Sequence, residues 1–121
     1  MKFLIDKKER FCSIAPAEEK LTALQAPSLK TEFIMLNSEG FRNIICDMTA
    51  IKYVDSSGLS SLLTGHRLCD EVEGKFVLCG AQEEILKLMK LSQLDSVITL
   101  MPTLQEAIDF VMLNELERDL K

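Results

Sequence analysis

The sequence predicts an α/β domain: a mostly parallel five-stranded sheet with one antiparallel edge strand, in the order ββαβαβαβα. Three observations predict it. Short apolar runs alternate with longer segments of helical spacing along most of the chain, and strands separated by helices pair in parallel. Two apolar runs open the chain, separated only by the charged stretch Asp6 to Arg10, which reads as a hairpin connection and hence an antiparallel edge. The length of 121 residues fits one domain able to bury roughly two thirds of its unfolded surface, and no repeat, low-complexity tract or Pro/Gly linker divides it. A single domain over residues 1–121 is expected.

Taken in order, residues 2–5 form the first apolar run, and Phe11-Cys12-Ser13-Ile14-Ala15 alternates apolar and polar as a half-exposed strand does. Pro27 suits the first turn of a helix, where its missing N–H is no loss. Leu29, Phe33 and Leu36 follow at helical spacing, and Gly40 ends the segment. Residues Asn43 to Met48 read as a strand. The segment from Ile51 to Gly58 leads into a long helix reaching about Glu73, closed by Gly74. Lys75 to Gly80 is another buried strand, and 82–91 a helix with Ile85, Leu88 and Met89 on one face. Residues 96–100 supply the last strand. Thr103-Leu104-Gln105-Glu106 is a capping box: the Thr103 hydroxyl accepts from the Glu106 amide while the Glu106 side chain reaches back. Leu104, Ala107, Ile108 and Val111 give that helix its apolar face. The tail over 115–121 is charged and expected to fray.

Composition narrows the function classes. Apolar residues make up 47% and charged residues 27%, the profile of a soluble globular chain. A net charge of -5 repels phosphate backbones and argues against nucleic acid as a partner. No polybasic run suggests a membrane surface, and no apolar stretch approaches the roughly 20 residues of a membrane span. The N-terminus is charged too early for a secretory signal, so a cytoplasmic location is expected. Cys12, Cys46, Cys69 and Cys79 form no CxxC pair and read as free buried thiols in a reducing compartment. With His66 as the only histidine, a zinc site is not expected, nor is any cofactor.

Catalysis finds little support. The nucleophile candidates are Ser56, Cys46 and Cys69. His66 is the sole imidazole base and falls on the predicted buried stripe of its helix, beyond reach of Ser56 and Ser57. Gly-x-Ser-x-Gly is absent. A phosphoacceptor of the receiver type needs clustered carboxylates for a divalent ion; Asp47 and Asp55 are present, but the early strands offer no acidic pair. Neither Gly-x-Gly-x-x-Gly nor Gly-Lys-Ser/Thr occurs. The chain is therefore read as a non-enzymatic binding protein.

The segment with the most to say is Asp55-Ser56-Ser57-Gly58, where loop becomes helix. Asp and Ser are strong N-caps, and Gly58 permits close approach of another backbone. At helical spacing Leu59, Leu62, Leu63, His66 and Cys69 form the stripe expected to face the sheet. The opposite face carries Ser57, Ser60, Ser61, Thr64 and Leu68, small hydroxylated side chains and one leucine where Lys, Glu or Arg would be ordinary. Such a face lets a partner come close, with Leu68 as its anchor.

Val54-Asp55-Ser56-Ser57-Gly58-Leu59, entered from an apolar strand and leading into a helix, resembles the signature of the anti-sigma factor antagonists, the founding STAS domains. Leu21 to Lys30 resembles the family's approach to its first helix. Phe76-Val77-Leu78-Cys79-Gly80 followed by Ile85 to Leu91 resembles its fourth strand and third helix. The resemblance covers nearly the whole chain. It implies a STAS-like fold and a partner-switching protein that binds an anti-sigma factor acting as a serine kinase. Phosphorylation at Ser56, with Ser57 as the adjacent alternative, would release the partner, and a phosphatase would reset the switch. The implied contact residues are Asp55, Ser56, Ser57, Gly58, Ser60, Ser61, Thr64 and Leu68. Two positions depart from the family: Thr22 stands where an acidic residue is frequent, and Ser60 where many members have Gly. A neighbouring expectation is a STAS subunit docked to a transporter of the lipid-export type without phosphorylation.

Overall fold

The computed structural model describes residues 1–120. Strand β1 (Phe3–Lys7) turns back on β2 (Cys12–Pro16), pairing antiparallel with Ile5 opposite Ile14. After β3 (Lys20–Leu21) come α1 (Ala26–Ser38), β4 (Ile44–Asp47), β5 (Tyr53–Val54), α2 (Ser56–Glu71) and β6 (Phe76–Cys79). Helix α3 (Glu83–Leu91), β7 (Thr99–Met101) and α4 (Leu104–Asp119) complete the order. The five-stranded sheet runs β1-β2-β4-β6-β7, with every pairing after the first parallel, as the sequence predicts.

The pleat divides the core in two. Cys12, Ile14, Ile44, Cys46, Phe76 and Leu78 point to one face and pack with α1, α2 and α3. Ile45, Val77 and Cys79 point to the other, where Ala107 and Val111 of α4 cover them. Phe33 of α1 meets Phe76 edge-on, with ring centroids 5.2 Å apart and planes at 81°. All four cysteines are free and buried. Burial pushes the thiols of Cys12, Cys69 and Cys79 up to about 12 and raises that of Cys46 as well.

Three features differ from expectation. A separate two-stranded parallel ladder joins β3 to β5, pairing Leu21 with Val54. Two-residue strands are too short to leave a periodic signal. The last strand begins at Thr99, because Leu94–Ser96 closes a single 3-10 turn after Gln93, whose φ is 61°. The charged tail does not fray at 115: α4 continues to Asp119, and only Lys121 of the predicted tail lies outside the described residues. Ion pairs hold it. Glu115 is buried against Arg42, 3.0 Å away, and Arg10, 3.7 Å away, while Arg118 reaches Glu73 at 3.3 Å.

Candidate functional site

The junction of β5 and α2 is fixed by one side chain. Asp55 has extended backbone (φ -100°, ψ -174°) and caps α2, its Oδ1 accepting the Gly58 amide at 2.8 Å. Its Oδ2 accepts the Ala23 amide at 3.1 Å, so the same carboxylate ties the loop before α1 to the start of α2. The Asp55 amide donates to the Leu21 carbonyl at 3.2 Å, extending the β3–β5 ladder by one bond. Gly58 is buried beneath this corner. A Cβ there would strike the Leu21 carbonyl oxygen and the Val54 side chain, which is why no larger residue fits.

Ser56 is the first residue of α2 and is exposed, with no hydrogen bond to its hydroxyl among the described residues. It stands where the free N–H groups of the helix and its macrodipole favour an anion. Ser57, Ser60 and Thr64 are half-buried, the Thr64 hydroxyl donating to the Ser60 carbonyl at 3.1 Å. These residues lie together on the outer side of α2.

Two of the predicted contact residues are corrected. Ser61 is fully buried, its hydroxyl donating to the Gly58 carbonyl at 2.6 Å, so no partner touches it directly. Leu68 is half-buried and packs against the main core, while its carbonyl accepts from Asn37 of α1 at 3.3 Å. Leu68 thus divides its surface between the core and solvent, and is less free than the anchor expected. Both corrections have one cause: the buried side of α2 is rotated from the predicted stripe. Gly58, Ser61, Leu62, Gly65 and Cys69 face inward, whereas Leu59, Leu63 and His66 sit half-exposed at the boundary. Gly65 abuts the rings of Phe76 and Phe33, where a Cβ would collide, so small residues bring α2 close to α1 and β6.

One residue beside the site left no mark in the pattern. Leu24 is 86% exposed, next to the Ala23 amide that Asp55 holds. Thr22 closes the turn beneath it, its hydroxyl donating to Gln25 Oε1 at 2.6 Å and accepting the Leu24 amide at 3.3 Å. Thr22, where the family often has an acid, is thus used inside the loop. The clue in the sequence was a leucine in a turn outside any helical face, a signal too weak to read alone.

His66 lies about 13 Å of helix beyond Ser57 at 1.5 Å per residue. Three concavities stand out among the described residues, and none is lined by Ser56, Ser57 or His66. The roomiest of these, about 580 Å³, is at the opposite end of α2, between Lys75, Glu73, Glu115 and Arg118. Asp47 is engaged locally, its Oδ1 accepting the Thr49 amide at 3.0 Å. No three His, Cys, Asp or Glu gather as a metal site among the described residues.

Comparison with known folds finds the same architecture repeatedly. A putative anti-sigma factor antagonist from Thermotoga maritima superposes with a TM-score of 0.85 at 21% identity, over 91% of this chain and 94% of that one. The Bacillus cell fate determinant SpoIIAA in its phosphorylated form gives 0.70 at 22% identity, over 91% and 99%. A murine solute carrier 26 anion transporter gives 0.73 at 12% identity, over 88% of this chain and 18% of that one. The family model for the STAS domain matches residues 3–107. That match takes in every strand, the Asp55–Gly58 corner and the start of α4, and the chain belongs to the STAS domain family.

Proposed function

We propose that the chain is an anti-sigma factor antagonist that acts in the cytoplasm by binding and not by catalysis. It docks an anti-sigma factor with serine kinase activity on the outer side of α2, and phosphorylation of Ser56 releases it until a phosphatase resets the protein. The carrying observation is Ser56 itself: an exposed, unbonded hydroxyl at the first turn of a helix whose start Asp55 holds rigid. A protein of the same fold described as a putative anti-sigma factor antagonist, and another described in a phosphorylated form, support the reading.

The physics gives the switch its sign. A phosphate on Ser56 adds about -1.5 to -2 charge. At a helix N-terminus it is favoured by roughly 0.3–1 kcal/mol, so α2 stays folded. The effect falls on the interface, where an unpaired dianion buried against a partner costs several kcal/mol. About 3 kcal/mol already weakens binding on the order of a hundredfold. The contact set is Asp55, Ser56 and Ser57 at the corner, held in place by the buried Gly58, with Ser60 and Thr64 along the helix and Leu24 as the apolar anchor in place of Leu68.

The test is affinity capture from the native cell with the unmodified protein, Ser56→Ala and Ser56→Asp, the captured proteins being identified by mass spectrometry. An anti-sigma kinase retained by the first two and lost by Ser56→Asp is the expected result. Equal retention by all three overturns the switch. Capture of transporter subunits insensitive to Ser56 supports the second reading, a STAS domain docked without phosphorylation. The fold shared with a segment of an anion transporter is the observation that favours this second reading.

A further inference from the structure

Helix α4 leaves an apolar face unused. Ala107, Val111 and Glu115 turn toward the sheet. On the outer face Met112, Leu113, Leu116 and Leu120 are 41%, 56%, 57% and 79% exposed. Their spacing places them on one side of the helix over its last two turns and more. A solvated helix face normally carries charges at these positions, and a single exposed apolar side chain is ordinary where three leucines and a methionine in line are not.

Charge decides what can cover this stripe. Glu106, Asp109 and Glu117 are exposed beside it, and no cation lies within ion-pair reach of any of the three among the described residues. The only described cation on α4, Arg118, is turned away to the Glu73 carbonyl at 2.7 Å and its carboxylate. Asp119 is held by Arg10 at 3.0 Å. A second copy laid on this face would bring the same exposed acids to the seam, with Arg118 of α4 already engaged by Glu73, so like charges would repel across it. An anionic membrane surface is repelled in the same way.

We infer that the outer face of α4 is a second docking surface, and that its occupant is an amphipathic helix of another protein carrying Lys or Arg beside its apolar stripe. Helix α4 covers the sheet face opposite α2, so this contact leaves Ser56 free and does not depend on the role proposed for it. The protein can then hold one partner through a phosphate-sensitive surface and another through a constant one.

The probe is a fluorescein-labelled peptide of leucine and lysine at amphipathic helical spacing, with a leucine–glutamate peptide of the same pattern as control, read by fluorescence anisotropy. The leucine–lysine peptide binds saturably and the control does not. Leu116→Glu weakens binding by about tenfold or more although it adds negative charge, and Leu113→Ala weakens it less. Both positions are exposed, so circular dichroism should be unchanged. If Leu116→Glu binds the cationic peptide as tightly or more tightly, the attraction is unspecific charge and the proposal fails. Absence of binding also overturns it, as does a dimer in analytical ultracentrifugation that Leu116→Glu converts to monomer.

Discussion

The two sides of α2 are built from the same kind of residue and do opposite work. Inward, Gly58, Ser61 and Gly65 let the helix settle against the Leu21 carbonyl and the rings of Phe33 and Phe76. Outward, Ser56, Ser57, Ser60 and Thr64 leave the helix open, with no element of the chain's own laid over Ser56. Small side chains therefore report that something comes close without saying what. On one side it is the chain itself, and on the other it is the proposed partner. The distinguishing mark is the neighbourhood: Gly65 meets aromatic rings already in the core, whereas Ser56 is exposed.

Several measurements sharpen or break this contrast. The largest effect is expected from alkaline pH, which tests how dry the core is, at Cys12 and Cys69 on the α2 side of the sheet and at Cys79 on the α4 side. The buried thiols hold their protons in the folded state up to about 12, against about 9 unfolded. Their contribution to stability is complete below pH 9 and is lost as pH rises from 9 toward 12. Urea midpoints at pH 9, 10 and 11 should fall progressively, and less steeply in Cys69→Ala. A flat profile would mean that water reaches these thiols.

Gly65→Val comes next. It forces a side chain against Phe76 and Phe33 and should destabilise by about 1–3 kcal/mol or more, read from the same denaturation curves. Asp55→Ala removes the cap of α2 and orphans the Ala23 amide, a loss of about 1–2 kcal/mol. Asp55→Asn, which keeps one acceptor, should recover part of it. On the outer side Ser60→Ala should leave stability within about 0.5 kcal/mol. A large loss there would place Ser60 among the packing residues and dissolve the contrast.

Much of the fold was legible because it rests on long segments. The apolar runs at Ile44–Asp47 and Phe76–Cys79 and the capping box at Thr103 announced β4, β6 and α4. The β3–β5 ladder was not, since two residues hold no period, yet it sets the Asp55 corner. The rotation of α2 escaped for another reason. Helical periodicity weights leucines and ignores glycine, but here Gly58 and Gly65 define the buried side and push Leu59 and Leu63 to its edge. The length of α4 was hidden in tertiary ion pairs: a run of charges reads as a loose tail until Arg10 and Arg42 arrive from elsewhere to neutralise Glu115. Of the candidate site, the Asp-Ser-Ser-Gly corner was readable from local chemistry. Leu24 was not, because what brings its loop to the corner is a contact between residues 32 apart, the amide of Ala23 with Asp55.

The most direct test is phosphosite mapping after incubation of the purified protein with the captured kinase and ATP. Phosphate on Ser56, and none on the buried Ser61, is the predicted result. Phosphate confined to Ser57 or found on Ser61, or a protein left unmodified, would contradict it.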